Sequence, residues 1–399
     1  MKKTGLFMIL ILSIKMNVSA QNQMIVDLLN DVRLDSLTNF VEQLTGEKSV
    51  TINGVTDTIK SRHYLNTGNE KAFQFMKSEF IRFGYQIDSM QFNPTGKNLF
   101  AIKTGYKYPN RKFILGAHYD NLPTDSIAPG ADDNASGSST VLEAGRVFAN
   151  YNFPYTIVFA LWDEEELGLL GSNAYVPTIS SSNDTLIAYI NADMLGWDGN
   201  NDSIADINMR NVANSSMLSD IAVQCNTIYD IQLNLHVVVQ EANSSDYAPF
   251  WNNGYTAIGI DEEYHSDFNP YWHNVADSLA QFNLSFYQKC SKLIYATLAN
   301  CALDTLSTLG IQELNTYSEI NIFPNPVLSK LTINLKSPFK SNSELSISNI
   351  LGNTIYSENL PSETQNISIE TKELSLSKGI YFVNISSDGV SSTTKFVKE

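Results

Sequence analysis

The chain has 399 residues, enough for two domains, and a 43% hydrophobic content sufficient for a large core. With 42 Asp and Glu against 26 Lys and Arg, its formal net charge is −16. That balance argues against a nucleic-acid partner, whose phosphates need clustered Lys and Arg, and a pervasively disordered chain would be less apolar.

Residues 1–20 read as a secretory signal: Lys2 and Lys3, the apolar run LFMILILSI (6–14), then VSA (18–20) before Gln21. The run is too short to span a bilayer. Apolar spacing predicts helices over 24–47 and 67–84, the second carrying Ala72, Phe73, Met76, Phe80 and Phe83 at steps of three and four before Gly84. From about residue 98 the pattern changes to short, nearly continuous apolar runs: KFILGAH (112–118), TIVFALW (156–162), LIAYINADM (186–194) and TAIGI (256–260). Such runs suit strands covered on both faces. Helical patterns such as 139–151 lie between them, so the expectation is an α/β fold with a mostly parallel central sheet flanked by helices.

Residues 278–301 read as one helix carrying Cys290 and Cys301, and Cys225 lies upstream. Eleven helical residues span about 16 Å, whereas a disulfide needs Cα atoms within about 7 Å. Those two do not pair on a continuous helix; Cys225 could pair with one of them, and three free thiols are the simpler expectation. Composition shifts near 302, and residues 303–320 read as a linker. Residues 321–399 then show about seven short alternating runs, with turn signals at 352–353, 378–379 and 388–389, the pattern of a small all-β sandwich.

Each apolar run of the α/β region ends in chemistry-bearing residues. His118-Tyr119-Asp120 follows the first, and PGADDNASG (129–137) comes shortly after it. Four acids, Asp163 to Glu166, follow the second. Asp193 ends the third, and NPYWHNVADSL (269–279) follows the fourth. Ligands of open α/β sheets bind beyond the carboxyl ends of the strands, so five segments deliver His and Asp/Glu to one edge. Clustered acids would repel and take up protons unless cations held them. Two His with several carboxylates and no Cys favour zinc or a similar divalent ion in a catalytic role. Asp120 is placed to accept from the second ring nitrogen of His118. Of Glu165 and Glu166, one would bind metal and the other serve as base for an activated water, with spacing leaving the division open.

These five segments, in this order, resemble the metal-site segments of the M28 zinc aminopeptidases, with the likeness covering roughly residues 60–300. The resemblance implies two zinc ions bridged by Asp132. His118 and Asp193 would complete one site, Glu166 and His273 the other. Glu165 would be the general acid/base, with Asp120 beside it in the catalytic set, and the Asp132–Asp133 peptide would be cis. Peptides would be the substrates. His265 is the rival to His273 for the last ligand; His63 and His236 are expected at surface or packing positions. One departure stands at Tyr247, in a stretch (244–258) that often reads Ser-Asp-His in the family and lies near the substrate pocket.

Residues 323–326, 374–385 and 395–399 resemble the C-terminal sorting domain of type IX secretion substrates. That implies export through the periplasm to the cell surface or beyond, with outer-membrane secretion machinery as partner. The domain expectation is therefore a signal peptide (1–20), a zinc peptidase domain (21–302), a linker (303–320) and a sorting domain (321–399). The alternatives are a glutaminyl cyclase-like or carboxypeptidase-type enzyme on the same fold, or a non-catalytic surface-binding protein.

Overall fold

The computed structural model describes residues 21–181, 184–240, 242–303, 320–335, 342–349, 354–370, 374, 376–387 and 390–398. The signal, the linker from 304 to 319 and the turns at 352–353 and 388–389 lie outside the described residues. The chain divides into two compact units at Leu303/Asp304.

The first unit runs α1 (Gln23–Asn30), α2 (Leu34–Leu44), β1 (Val50–Ile52), β2 (Val55–Asp57), α3 (Thr67–Arg82), β3 (Gln86–Gln91), β4 (Lys97–Lys103), β5 (Tyr108–His118), α4 (Gly137–Phe148), β6 (Tyr155–Trp162), α5 (Leu170–Ser181), β7 (Thr185–Ala192), β8 (Ile204–Met209), α6 (Ser215–Ile228), β9 (Asn234–Val239), α7 (Tyr247–Asn252), β10 (Ala257–Glu262) and α8 (Leu284–Leu303). The helical pattern of 24–47 is two helices. The break comes where the Arg33 N–H donates to the buried Glu143 carboxylate of α4 at 3.0 Å, which gives α2 a polar start. The pattern of 278–301 resolves into a short turn, Leu279–Gln281, and α8. Asn283 caps α8 by accepting from the Phe286 N–H at 3.2 Å.

Eight strands form one sheet in the order β3-β4-β6-β5-β7-β10-β8-β9. The four central strands β6, β5, β7 and β10 are mutually parallel. Antiparallel pairings of β4 with β6 and of β8 with β10 make the sheet mixed at its margins. All eight residues of β6 are buried, which explains its unbroken apolar run. Phe159 packs against Phe80 of α3 and Phe148 of α4. Val158, Ala160 and Trp162 join a second cluster with Val176 of α5 and Phe250 of α7. Alternate residues thus serve two helical layers. Register places His118 opposite Trp162, and Ala192 opposite Ile260. The segments that leave these strands therefore emerge side by side.

Cys225, Cys290 and Cys301 are free and buried. Among the described residues no helix is long and apolar enough to cross a membrane.

The second unit has, among its described residues, β11 (Ile320–Phe323), β12 (Lys330–Leu335), β13 (Ser343–Asn349), β14 (Thr354–Leu360), β15 (Asn366–Glu370), β16 (Gly379–Ser387) and β17 (Val390–Lys398). They form sheets β11-β12-β15 and β14-β13-β16-β17. Leu331, Ile333 and Leu335 of the first sheet share one core with Leu345, Ile347, Val383 and Ile385 of the second. The period-two alternation in the sequence is this shared inner face.

Candidate metal centre

Four parallel strands end at the site. His118 is the last residue of β5; Glu165 and Glu166 lie on a single helical turn after β6; Asp193 follows β7; His273 sits in the segment after β10. The 131–136 turn, between β5 and α4, supplies a carboxylate from below.

That carboxylate belongs to Asp133. Its Oδ1 lies 3.2 Å from His118 Nε2, and its Oδ2 lies 3.1 Å from His273 Nε2. On one side Asp193 Oδ1 is 3.2 Å from the same His118 nitrogen. On the other, Glu166 Oε2 is 2.9 Å from His273 Nε2. Two three-residue groups, His118-Asp133-Asp193 and Asp133-Glu166-His273, therefore share one carboxylate. Glu165 stands with His118 and Glu166 in a third such group.

The expected bridging residue, Asp132, is turned away. Its carboxylate accepts from the Gly196 N–H and the Asn269 side-chain amide, both at 2.7 Å, and it belongs to none of the ligand groups around the histidines. The cis peptide likewise falls at Asp133–Asn134 and not at Asp132–Asp133. The sequence offers two adjacent acids, and only the backbone turn determines which side chain faces the strand ends. His265 belongs to none of these groups and packs on Tyr264. His63 is buried, and His236 is exposed beside Asp206.

The acid run divides its labour. Asp163 accepts from Asn69, the Lys97 N–H and the Tyr119 hydroxyl and so pins the turn. Glu164 accepts from the Thr95 hydroxyl at 2.5 Å. Only Glu165 and Glu166 enter the site. Asp120 positions them: its two oxygens accept from the Glu165 and Glu166 N–H groups at 3.1 and 3.2 Å. It also stands 3.4 Å from His118 Nδ1.

Several supporting residues carry no sequence signal of their own. A chain of hydrogen bonds runs from Trp162 through Tyr189, Asn191 and Ser245 to Asp193, with Ser245 donating to Asp193 Oδ2 at 2.6 Å. Arg62, fully buried, donates to the carbonyls of Leu44, Tyr119, Pro129 and Gly130 at 2.7–2.8 Å. It ties the segment after β5 to the 131–136 turn. A buried cation has to satisfy its fork of donors, and here it does so on loop carbonyls. Burial lowers its guanidinium to about 10, so it stays protonated at neutral pH.

The electrostatics call for cations. Burial, with the Asp133 charge beside it, pushes Glu166 up to about 7. Burial also holds Glu165 well above the usual carboxylate range. For the histidines burial works downward, yet Asp133 and Glu166 outweigh it and raise His273 to about 10. Glu166 Oε1 is buried without a hydrogen-bond partner. Tetrahedral ligands about 2.0–2.1 Å from a zinc ion lie about 3.3 Å apart, close to the separations found here. The donors are imidazole and carboxylate only, a set suited to a catalytic divalent metal. The residues present fit such an ion on each side of Asp133.

Residues 98–298 match Peptidase family M28. The chain belongs to that family. Residues 321–399 match the secretion system C-terminal sorting domain. Among curated relatives, a probable zinc metalloprotease of Pyrenophora tritici-repentis is 30% identical over 188 residues, covering 43% of each chain. Leucine aminopeptidase 1 of Paracoccidioides brasiliensis is 34% identical over 127 residues, covering 29% of this chain and 32% of that one. The M28 chain thus spans less than half the length of these relatives. Among solved structures, the LapA aminopeptidase of Legionella pneumophila superposes with a TM-score of 0.60 at 22% identity, covering 71% of this chain and 75% of that one. That likeness is one of fold.

Proposed function

We propose that this M28 protein is a zinc-dependent aminopeptidase with two metal positions sharing Asp133. The observation that carries the reading is that one carboxylate faces a different histidine with each oxygen. His118 and Asp193 would hold one ion and Glu166 and His273 the other. The names of the relatives, a zinc metalloprotease and a leucine aminopeptidase, support zinc and this reaction class. Zinc held there would polarise the scissile carbonyl and acidify water.

The chain's own residues supply the rest. Glu165, beside both groups and outside their shared carboxylate, accepts the proton of the attacking water and returns it to the departing amine nitrogen. Its burial suits that role, since burial raises the carboxyl above the usual carboxylate range and so strengthens it as a base. Asp120 fixes the Glu165 and Glu166 backbone, so the base and the ligand keep their separation. The cavity at the site is lined by six acidic residues, Asp133, Glu165, Glu166, Asp193, Asp261 and Glu262, and by no Lys or Arg among the described residues. A carboxypeptidase needs a cation for the substrate carboxylate. An acidic cavity instead suits a free N-terminal ammonium, which favours an aminopeptidase.

The sorting domain supports export to the cell surface or medium, with peptides as substrates and outer-membrane secretion machinery as partner. The decisive experiment is hydrolysis of aminoacyl-nitroanilides by the zinc-loaded chain beside Glu165→Gln. The variant should retain zinc and lose about 10²–10⁴-fold in kcat. No hydrolysis of any member of a broad panel, with zinc bound, would overturn the reading.

A further inference from the structure

The site opens into a cavity of about 500 Å³, large enough for a side chain of substrate. Its wall includes Met194, Tyr247 and Phe268, and also Asn208, Gln240 and Asp261. The last three come from neighbouring strands. Asn208 lies on β8, Gln240 follows β9, and Asp261 lies on β10, which are adjacent in the sheet.

The three polar groups form a ladder with a direction. Gln240 Nε2 donates to Asn208 Oδ1 at 2.8 Å, and Asn208 Nδ2 donates to Asp261 Oδ2 at 2.5 Å. The ladder ends on an acceptor. Asp261 Oδ1 is buried and has no hydrogen-bond partner. A buried acceptor without a donor is costly, and at a cavity wall the missing donor can come from a ligand. Gly259, two residues earlier on the same face, lets the Tyr247 ring and the Asp261 carboxylate pack close together. A Cβ there would lie 2.6 Å from the Tyr247 ring and 3.2 Å from Asp261 Oδ1. The wall therefore joins apolar and aromatic surface to one buried carboxylate oxygen that lacks a donor.

We propose that Asp261 sets the substrate preference of this cavity, and that the preferred N-terminal residue is basic, lysine or arginine. The inference rests on the aminopeptidase reading for its substrate. A hydrocarbon stem would lie against Met194, Tyr247 and Phe268, and the cationic end would donate to Asp261 Oδ1. A cationic end supplies both the missing donor and a countercharge for a buried carboxylate. Tyr247, where the family often has His, helps form this wall.

The test compares lysyl-, arginyl-, leucyl- and norleucyl-nitroanilides on the zinc-loaded full chain, Asp261→Leu and Asp261→Asn, with zinc content and Tm followed for each. The wild type should favour the lysyl over the norleucyl substrate by about 30-fold or more in kcat/KM. Asp261→Leu should lose that preference and gain on norleucyl. A wild type that takes norleucyl as well as lysyl, or a preference that survives Asp261→Leu, overturns the proposal. If no nitroanilide is cleaved, the aminopeptidase reading fails separately. Calorimetric titration with free lysine and norleucine then decides the pocket: tighter lysine binding lost in Asp261→Leu supports it, and equal affinities overturn it.

Discussion

Asp277 holds Asp133 by its backbone. The Asp277 carboxylate accepts from the Asp133 N–H at 3.1 Å and from the Asp132 N–H at 3.0 Å. The residue that ends the His273 segment thus fixes the turn that aims the shared carboxylate. Removing the carboxylate leaves two buried N–H groups unpartnered, at about 1–3 kcal/mol each. Asp277→Ala should lower the Tm and weaken zinc binding by about 10–100-fold. Zinc titration checks this, and undiminished affinity would remove Asp277 from the supporting set.

Asp132 and Asp133 are adjacent acids with separate duties, and substitution should separate them. Asp133→Asn should abolish stoichiometric zinc, since it removes the carboxylate that both three-residue groups share. Asp132→Asn keeps one acceptor oxygen, enough for Gly196 or Asn269 but not for both, and should retain most of the metal while costing stability. Metal analysis of the two purified variants reads the difference. Equal loss in both would contradict the assignment.

Arg62 makes a prediction about folding. It donates to four loop carbonyls and stands among the charges of Asp277, Asp120 and Asp133. Arg62→Met should cost about 3–5 kcal/mol, because it leaves buried charge and carbonyls uncompensated. Arg62→Lys should recover only part, since one ammonium cannot span the fork. Denaturant midpoints of the three proteins test the order.

Much of this architecture could be read in advance, for identifiable reasons. The doubly buried strands announce themselves as continuous apolar runs, as β6 does. The sorting domain announces itself by alternation, as in Leu331, Ile333 and Leu335. The five site segments stand at strand ends, where ligands belong. What escaped the sequence was orientation. Asp132 and Asp133 are the same residue type one position apart, and spacing cannot tell which faces the histidines. The split between α1 and α2 depends on Glu143, more than a hundred residues away in the chain. Arg62, Ser245 and Asp261 act through contacts that no local pattern records.

The cysteines give the final prediction, and it concerns pH. Burial raises the Cys225 thiol to about 12, and it raises Cys290 and Cys301 as well. Unfolded thiols titrate near about 8.5. The fold therefore favours the neutral thiol. That contribution to stability is complete below about pH 8.5 and is lost as pH rises towards about 12. At pH 8 the folded chain presents almost no thiolate, and thiolate is the reactive form. Iodoacetamide should leave all 3 cysteines unmodified in the native protein and label all 3 in guanidinium. Mass spectrometry after a timed exposure reads the count directly. Rapid labelling of any one in the folded state would show that its helix opens far more readily than its burial implies.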